Sequence, residues 1–306
     1  MAGASRAGGR THERRIGTAP ADELAPVRPA LSRRRELSAT SARSLLMTLL
    51  GEYVLPRRQP AWTATLIGAL GRFGIEEKSA RQALARIAAE GWLRSERSGR
   101  RVRWSLTEHG RRLLTEGAER IYSFGRHPRR WDEQWLVLLV SVPESKRDLR
   151  HRLRTQLSWA GFGSPSAGMW VCPDVNRQAE AHTILSGLGL ASSALSFVAS
   201  YGSIGRQESL VEAAWDLAAI SLRYQEFVDA FADVEPEAGD RVLLAQTRLV
   251  HEWRRFPLLD PQLPAALLPA DWTGATAAEL FHRRHEQWHD AAQCRWDEIA
   301  DAPEQS

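Results

Sequence analysis

The stretch from Lys78 to Trp104 constrains the fold of this chain more than any other. Its first part places small and apolar residues three and four positions apart, which puts them on one face of an α-helix. These residues are Ala80, Ala83, Leu84, Ile87 and Ala88. The opposite face carries Lys78, Arg81, Gln82 and Arg86. The pattern predicts a helix with one face in a core and a cationic face exposed to solvent.

The second part of the stretch predicts a β-hairpin. Gly91 ends the helix, and an extended run follows in which polar residues alternate with Val102, Trp104 and Leu106. Ser98-Gly99 interrupts this run with residues typical of a tight turn. Four arginines lie at or near the tip of the hairpin: Arg97, Arg100, Arg101 and Arg103.

A basic helix followed by a basic hairpin is typical of a winged helix-turn-helix, in which the helix enters the major groove of DNA. Arg81 and Gln82, near the start of the helix, suit guanine and adenine edges, and the wing arginines suit phosphate or the minor groove. The predicted DNA-binding residues are Lys78, Ser79, Arg81, Gln82, Arg86, Arg97, Arg100, Arg101 and Arg103. The alternative is a solvated surface without a ligand.

The distribution of charge supports the same region as a nucleic-acid contact. The chain of 306 residues has a net charge of +4. Residues 40–125 carry 15 Lys and Arg against 8 Asp and Glu, whereas residues 126–306 carry 18 against 25. Because phosphate neutralisation supplies most sequence-independent affinity for DNA, the basic segment is where DNA would bind.

The chain as a whole predicts an α+β multidomain protein. It would contain an N-terminal winged helix-turn-helix, a central ferredoxin-like α+β domain and a C-terminal helical domain. The predicted boundaries are a disordered basic tail (1–38), the winged-helix domain (40–125), the ferredoxin-like domain (131–203) and the helical domain (206–301).

Within these domains the pattern predicts individual elements. Ser41 is a candidate N-cap for a helix that runs through Tyr53, and a second helix spans Thr63 to Phe73. In the central domain the order is strand, helix, strand, helix, strand, with Gly161–Gly163 as a turn. Helices near Gln207–Asp233, Gly239–Phe256 and Thr276–Ile299 make up the C-terminal domain.

Motifs for catalysis are weak. His285-Glu286-Gln-Trp-His289 matches the H-E-x-x-H pattern of zinc peptidases, and His282 shares that helix face, but the sequence identifies no third ligand. A metal-dependent nuclease in the central domain would need an Asp after the first strand, where Pro143-Glu144 stands. Cys172 and Cys294 are the only cysteines and support no cysteine-rich zinc site. We therefore predict no catalytic residues, no metal ligands and no cofactor.

Several runs of the chain resemble the PaaX family of bacterial repressors. They include Gly51-Glu-Tyr53-Val-Leu-Pro56-Arg57, Arg81-Gln82-Ala-Leu84-x-Arg86, Leu157-x-Trp159-x-Gly161-Phe162-Gly163 and Gly168-x-Trp170-Val171-x-Pro173. Further matches are Phe256-Pro257-x-x-Asp260-Pro261-x-Leu263-Pro264 and Leu268-Pro269-x-Asp271-Trp272. The resemblance extends over roughly residues 40–300.

The resemblance implies a dimer that binds double-stranded operator DNA and is released by an acyl-coenzyme A thioester such as phenylacetyl-coenzyme A. Such a thioester needs cationic groups for its phosphates and an apolar pocket. The predicted effector-binding residues are Arg147, Arg150, Arg154, Trp159 and Trp170. The C-terminal helices are the predicted dimer interface. Operator, operon, effector identity and direction of regulation stay open.

Two further expectations complete the sequence analysis. Without an N-terminal apolar segment or a long hydrophobic stretch, a soluble cytoplasmic protein with no membrane contact is expected. The alternative function is a winged-helix scaffolding protein without ligand control, which would show a shallow dependence of DNA binding on salt.

Overall fold

A computed structural model describes residues 41–126 and 130–301. The predicted disordered tail, residues 1–38, lies outside the described residues. Among those that are described, no helix has both the length and the apolar character needed to cross a membrane.

The N-terminal unit consists of five helices and a small sheet. Its elements are α1 (Ala42–Leu49), α2 (Leu55–Arg57), β1 (Ala61–Trp62), α3 (Thr63–Gly71), α4 (Glu77–Ala89), β2 (Leu93–Ser98), β3 (Arg101–Leu106) and α5 (Glu108–Ser123). The strands form an antiparallel sheet in the order β1-β3-β2. The predicted cap is confirmed, since the Ser41 hydroxyl accepts a hydrogen bond from the Ser44 amide at 3.1 Å.

The first helix departs from the predicted single α-helix through Tyr53. A π-helical turn, Leu50–Val54, follows α1, and the chain then continues as α2 through Pro56. Proline has no N–H to donate to the carbonyl of Glu52, four residues earlier, and its ring crowds that carbonyl. The turn widens as a result: the Leu55 amide bonds to the Leu50 carbonyl, and the freed Glu52 carbonyl accepts from Gln293 Nε2 at 3.1 Å.

The central unit has the element order strand-helix-strand-strand-helix-strand. It comprises β4 (Gln134–Leu139), α6 (Arg147–Trp159), β5 (Gly163–Ser166), β6 (Met169–Cys172), α7 (Gln178–Gly187) and β7 (Leu195–Ser200). The strands form one antiparallel sheet in the order β5-β6-β4-β7. The sequence missed β5, where it predicted only a turn, because the strand is short and contains Pro165, which a sheet accepts at its edge.

The C-terminal unit is helical. Its helices are α8 (Gln207–Ala214), α9 (Leu217–Phe231), α10 (Asp240–Trp253), α11 (Phe256–Leu259) and α12 (Gly274–Asp301). The prediction of one helix over Gln207–Asp233 was wrong. Trp215 is extended, its ring stacks at 6.3 Å on Trp135 of the central sheet, and Asp216 caps the new helix at the Ala219 amide. Packing against the sheet thus divides the helix.

The N-terminal unit and the C-terminal helices share a hydrophobic core. Leu45, Leu49 and Tyr53 are buried in one cluster with Leu243 of α10 and Trp296 of α12. Tyr53 stacks on Trp296 with ring centroids 4.8 Å apart. The basic helix α4 packs on α1 in the same cluster, so the position of α4 is fixed against the C-terminal helices through α1.

Candidate nucleic-acid interface

Helix α4 presents the polar face that the sequence predicts. Ala80, Ala83, Leu84 and Ile87 are buried, and Ala88 is partly buried. The five candidate residues on the other face are all exposed: Lys78, Ser79, Arg81, Gln82 and Arg86. Arg81 pairs with Glu77 one turn earlier, with Nη2 and Oε1 2.6 Å apart. A solvent-exposed pair of this kind contributes little to stability, so Arg81 can exchange partners at low cost.

The wing is the hairpin of β2 and β3. Ser98 pairs with Arg101, and the turn between them contains Gly99 with a φ of 64°, which favours glycine. Arg97, Arg100 and Arg101 are exposed at this tip, and the Arg101 guanidinium lies 5.8 Å from the centre of the Trp62 ring.

Arg103 differs from the other wing arginines because it faces an acid across the hairpin. Its register partner is Glu96, and Arg103 Nη2 lies 2.8 Å from Glu96 Oε1. The hydrogen bond from Arg103 holds the pKa of Glu96 below its ordinary value. Part of the charge of Arg103 is therefore already matched within the hairpin, by Glu96.

Hydrogen bonds fix the wing relative to the helices. Trp104 Nε1 donates to the Thr63 hydroxyl at 2.8 Å, and that hydroxyl donates to the Val102 carbonyl at 2.9 Å. On the other side, the Trp92 amide bonds to the Ile87 carbonyl and the Thr107 amide to the Trp92 carbonyl. The structure thus brings the basic face of α4 and the wing together in one sheet-supported unit.

The residues predicted to bind an effector are spread over two environments. Arg147, Arg150 and Arg154 lie along α6, exposed at the first two positions and half-buried at the third, and Trp159 at the end of the helix is 49% exposed. Burial, together with the charge of Arg150, lowers the pKa of Arg154. Trp170 is only 5% exposed within the core of the central unit. It could contact an effector only if that core opened, and its role stays a prediction.

The structure also brings a third residue, which the sequence did not connect with them, to the two histidines of the H-E-x-x-H pattern. His285 and His289 of α12 face Glu52 of the π-helical turn, a buried carboxylate. Burial alone would raise the pKa of Glu52, but interactions with His285, His289 and Tyr122 outweigh it and hold the pKa well below its ordinary value. Glu52 and His285 are separated by 233 positions. No local pattern could have paired them.

The three units correspond to matches with known protein families. Residues 41–110 match the PaaX-like protein family, residues 128–211 the PaaX protein central Cas2-like domain, and residues 215–298 the PaaX-like protein C-terminal domain. The transcriptional repressor PaaX of Escherichia coli strain K12 is 34% identical over 251 residues, which is 78% of this chain and 78% of that protein.

A solved structure shows the same fold. It is an uncharacterized protein from Mycobacterium tuberculosis, 24% identical, with a TM-score of 0.57. The match covers 85% of this chain and 99% of that one. At this level of identity the comparison supports the architecture and does not address activity.

Proposed function

Because the chain belongs to the PaaX family of transcriptional regulators, we propose that it is a DNA-binding repressor whose N-terminal unit is a winged helix-turn-helix. The observation that carries the proposal is the joint exposure of the basic face of α4 and the arginines of the wing. A protein-binding winged helix has no need for a cationic surface on both elements. That surface, together with a repressor relative of 34% identity, favours DNA over the scaffolding alternative.

The two elements would contribute differently to binding. Arg81 and Gln82 lie in the first half of α4 and would contact base edges, where Arg suits guanine and Gln suits adenine. Lys78, Ser79 and Arg86 flank them, and Arg97, Arg100 and Arg101 would contact phosphate or the minor groove. Arg103 would contribute least, since Glu96 already pairs with it. No catalytic residue is part of the proposal.

Dimerisation through the central sheet is the second part of the proposal. The order β5-β6-β4-β7 in a strand-helix-strand-strand-helix-strand unit supports the predicted ferredoxin-like domain, and β7 lies at the edge of the sheet. This edge carries Leu195, Phe197 and Val198, each at least 50% exposed. Leu195 and Phe197 lie opposite Leu139 and Val137, on one face of the sheet. An exposed apolar edge strand is a template for pairing with another copy, which favours this edge over the C-terminal helices that the sequence suggested.

The third part concerns control by a ligand. The family resemblance favours genes for phenylacetate-type aromatic acids as targets and an acyl-coenzyme A thioester as effector. The cationic stripe Arg147, Arg150 and Arg154 with the exposed Trp159 offers charge for phosphates and an aromatic surface. Binding would shift the dimer towards a geometry that no longer matches two operator half-sites. A repressor of this kind works on the chromosome in the cytoplasm.

A DNA titration tests the proposal. The full chain is titrated by fluorescence anisotropy onto DNA from upstream of its own gene and of neighbouring operons, at several salt concentrations, with and without phenylacetyl-coenzyme A. Specific, steeply salt-dependent binding is expected, with release by the thioester. Specific binding without release would remove the proposed effector alone. Weak binding that is independent of sequence, with a shallow salt slope, would overturn the repressor and favour the scaffold.

A further inference from the structure

The Glu52 carboxylate is one of the few charged groups buried in the described part of the chain. Its side chain is 2% exposed in the seam between the N-terminal unit and α12. A buried carboxylate is costly unless charge and hydrogen bonds compensate for it. Gln246 Nε2 donates to Glu52 Oε1 at 2.9 Å, and the Tyr122 hydroxyl donates to Oε2. These two donors fix the orientation of the carboxylate from two different helices.

The remaining side of the carboxylate faces two imidazoles. His285 and His289 lie one turn apart on α12, so their side chains share one helix face. His285 Nε2 lies 3.1 Å and His289 Nδ1 3.6 Å from Glu52 Oε1. All three ligand atoms, one from each residue, lie within 4.8 Å of one another.

From this geometry we infer that Glu52, His285 and His289 form a binding site for a divalent transition-metal cation, with Zn²⁺ as the ion that fits best. Two imidazole nitrogens and a carboxylate oxygen are a common zinc donor set, with a fourth position left for water or another ligand. Zinc at about 2.0–2.1 Å from each ligand in a tetrahedron sets ligand atoms about 3.4 Å apart. The two measured separations from Oε1, 3.1 and 3.6 Å, bracket that value.

The long separation between His289 and Glu52 supports a bound ligand rather than a direct hydrogen bond. His289 Nδ1 is buried and has no hydrogen-bond partner among the described residues, although it points to within 3.6 Å of the carboxylate. In a cluster built only from hydrogen bonds, this nitrogen would be expected to approach to about 3 Å. A metal ion between the three groups would satisfy the nitrogen at the observed separation. Gln246 and Tyr122 would then be the outer residues that orient the ligating carboxylate.

The site differs from that of a zinc peptidase. Glu286, which in the H-E-x-x-H pattern would act as the base, is exposed on α12, and the third ligand comes from the N-terminal unit. Zinc here would join the π-helical turn to α12, next to the stacked pair Tyr53 and Trp296. The ion would therefore stabilise the contact between the two units, and this role does not depend on whether the protein binds DNA.

Metal titration of the whole protein tests the site. Untagged full-length protein is treated with EDTA, dialysed and titrated with Zn²⁺ alone by calorimetry, and with Co²⁺ by visible absorption, which reports coordination geometry. The variants are His289→Ala and Glu52→Gln. The His289 side chain is partly exposed, so its removal should disturb the fold little. His151→Ala is the matched control, because it removes an exposed helical histidine outside the cluster. Circular dichroism checks that each variant folds.

We expect one Zn²⁺ per chain in the wild-type protein and in His151→Ala, tetrahedral Co²⁺ bands, and a melting temperature that rises with added Zn²⁺. In His289→Ala the affinity for Zn²⁺ should fall by at least about 100-fold. Loss of a residue that only orients a ligand costs up to about 100-fold, and loss of a direct ligand should cost at least as much. Two results would overturn the site: wild-type protein that takes up no stoichiometric Zn²⁺, or a folded His289→Ala that binds it as tightly as the control. The wild-type titration alone decides the matter if both cluster variants fail to fold.

Discussion

His251 Nδ1 lies 2.9 Å from the hydroxyl of Thr48, in the buried seam where α10 packs against α1. Burial and the neighbouring charges of Arg254 and Arg255 lower the pKa of His251 to about 3. The histidine is therefore mostly neutral in the folded protein above that pH. In the unfolded chain it gains a proton near its ordinary pKa of 6.5.

This difference predicts a loss of stability in acid. Because the unfolded state binds the proton first, the free energy of unfolding should fall as the pH falls from about 6.5 towards about 3, by up to ~1.4 kcal/mol per pH unit. Above pH 6.5, His251 makes no contribution to the pH dependence of the free energy of unfolding. Urea unfolding at a series of pH values measures this slope. His251→Gln, which cannot gain a proton, should show a flatter slope than wild type, and the exposed His182→Gln should keep the wild-type slope. Equal slopes in all three proteins would contradict the assignment.

At the base of the wing, two backbone segments approach so closely at Gly110 that a side chain would not fit without displacement. A Cβ atom at this position would lie 2.2 Å from the carbonyl oxygen of Trp92, which also accepts the Thr107 amide. Gly110→Ala should lower the free energy of unfolding by about 1–3 kcal/mol, as overpacking does. Gly117 is in the same helix with open space around it. Gly117→Ala should instead stabilise the protein by about 0.5–1 kcal/mol, so a similar loss in both variants would refute the steric explanation.

Features that depend on neighbouring residues could be predicted from the sequence, and features that depend on packing between distant segments could not. The cap at Ser41, the buried face of α4 and the helix end at Gly91 follow from local patterns, and all were predicted. The break at Trp215 and the grouping of Glu52 with His285 depend on packing between segments far apart in the chain. The π-helical turn lies between these cases, because Pro56 signals a disturbed helix but not that Gln293 will donate to the displaced carbonyl.

If the dimer forms through the exposed edge of the central sheet, a charged substitution at that edge should dissociate it. Phe197, 50% exposed on β7, lies at the proposed interface, and Leu222, 61% exposed on α9, lies in the C-terminal helices that the sequence suggested. Placing a charge at a buried apolar contact between copies is strongly unfavourable. We expect Phe197→Glu to be monomeric by sedimentation equilibrium at concentrations where wild type and Leu222→Glu are dimeric. Dissociation by Leu222→Glu alone would return the interface to the helices.

Helix α4 and the wing should differ in their effect on DNA binding, if the protein is the repressor proposed above. Replacing Arg97 and Arg100 by Ala should weaken binding to operator and unrelated DNA alike, and reduce the slope of log affinity against log salt by about 1 for each phosphate that is no longer neutralised. Arg81→Ala should weaken binding to the operator by about 1–3 kcal/mol and binding to unrelated DNA much less, because it removes a base contact.

The control is Arg248→Ala, which removes an exposed arginine on α10 and should change neither the affinity nor the salt slope. Anisotropy titrations on both DNAs at four salt concentrations give all of these values. If Arg81→Ala weakens binding to both DNAs equally and alters the salt slope, Arg81 contacts phosphate. Other residues on the same face of α4 would then contact the bases.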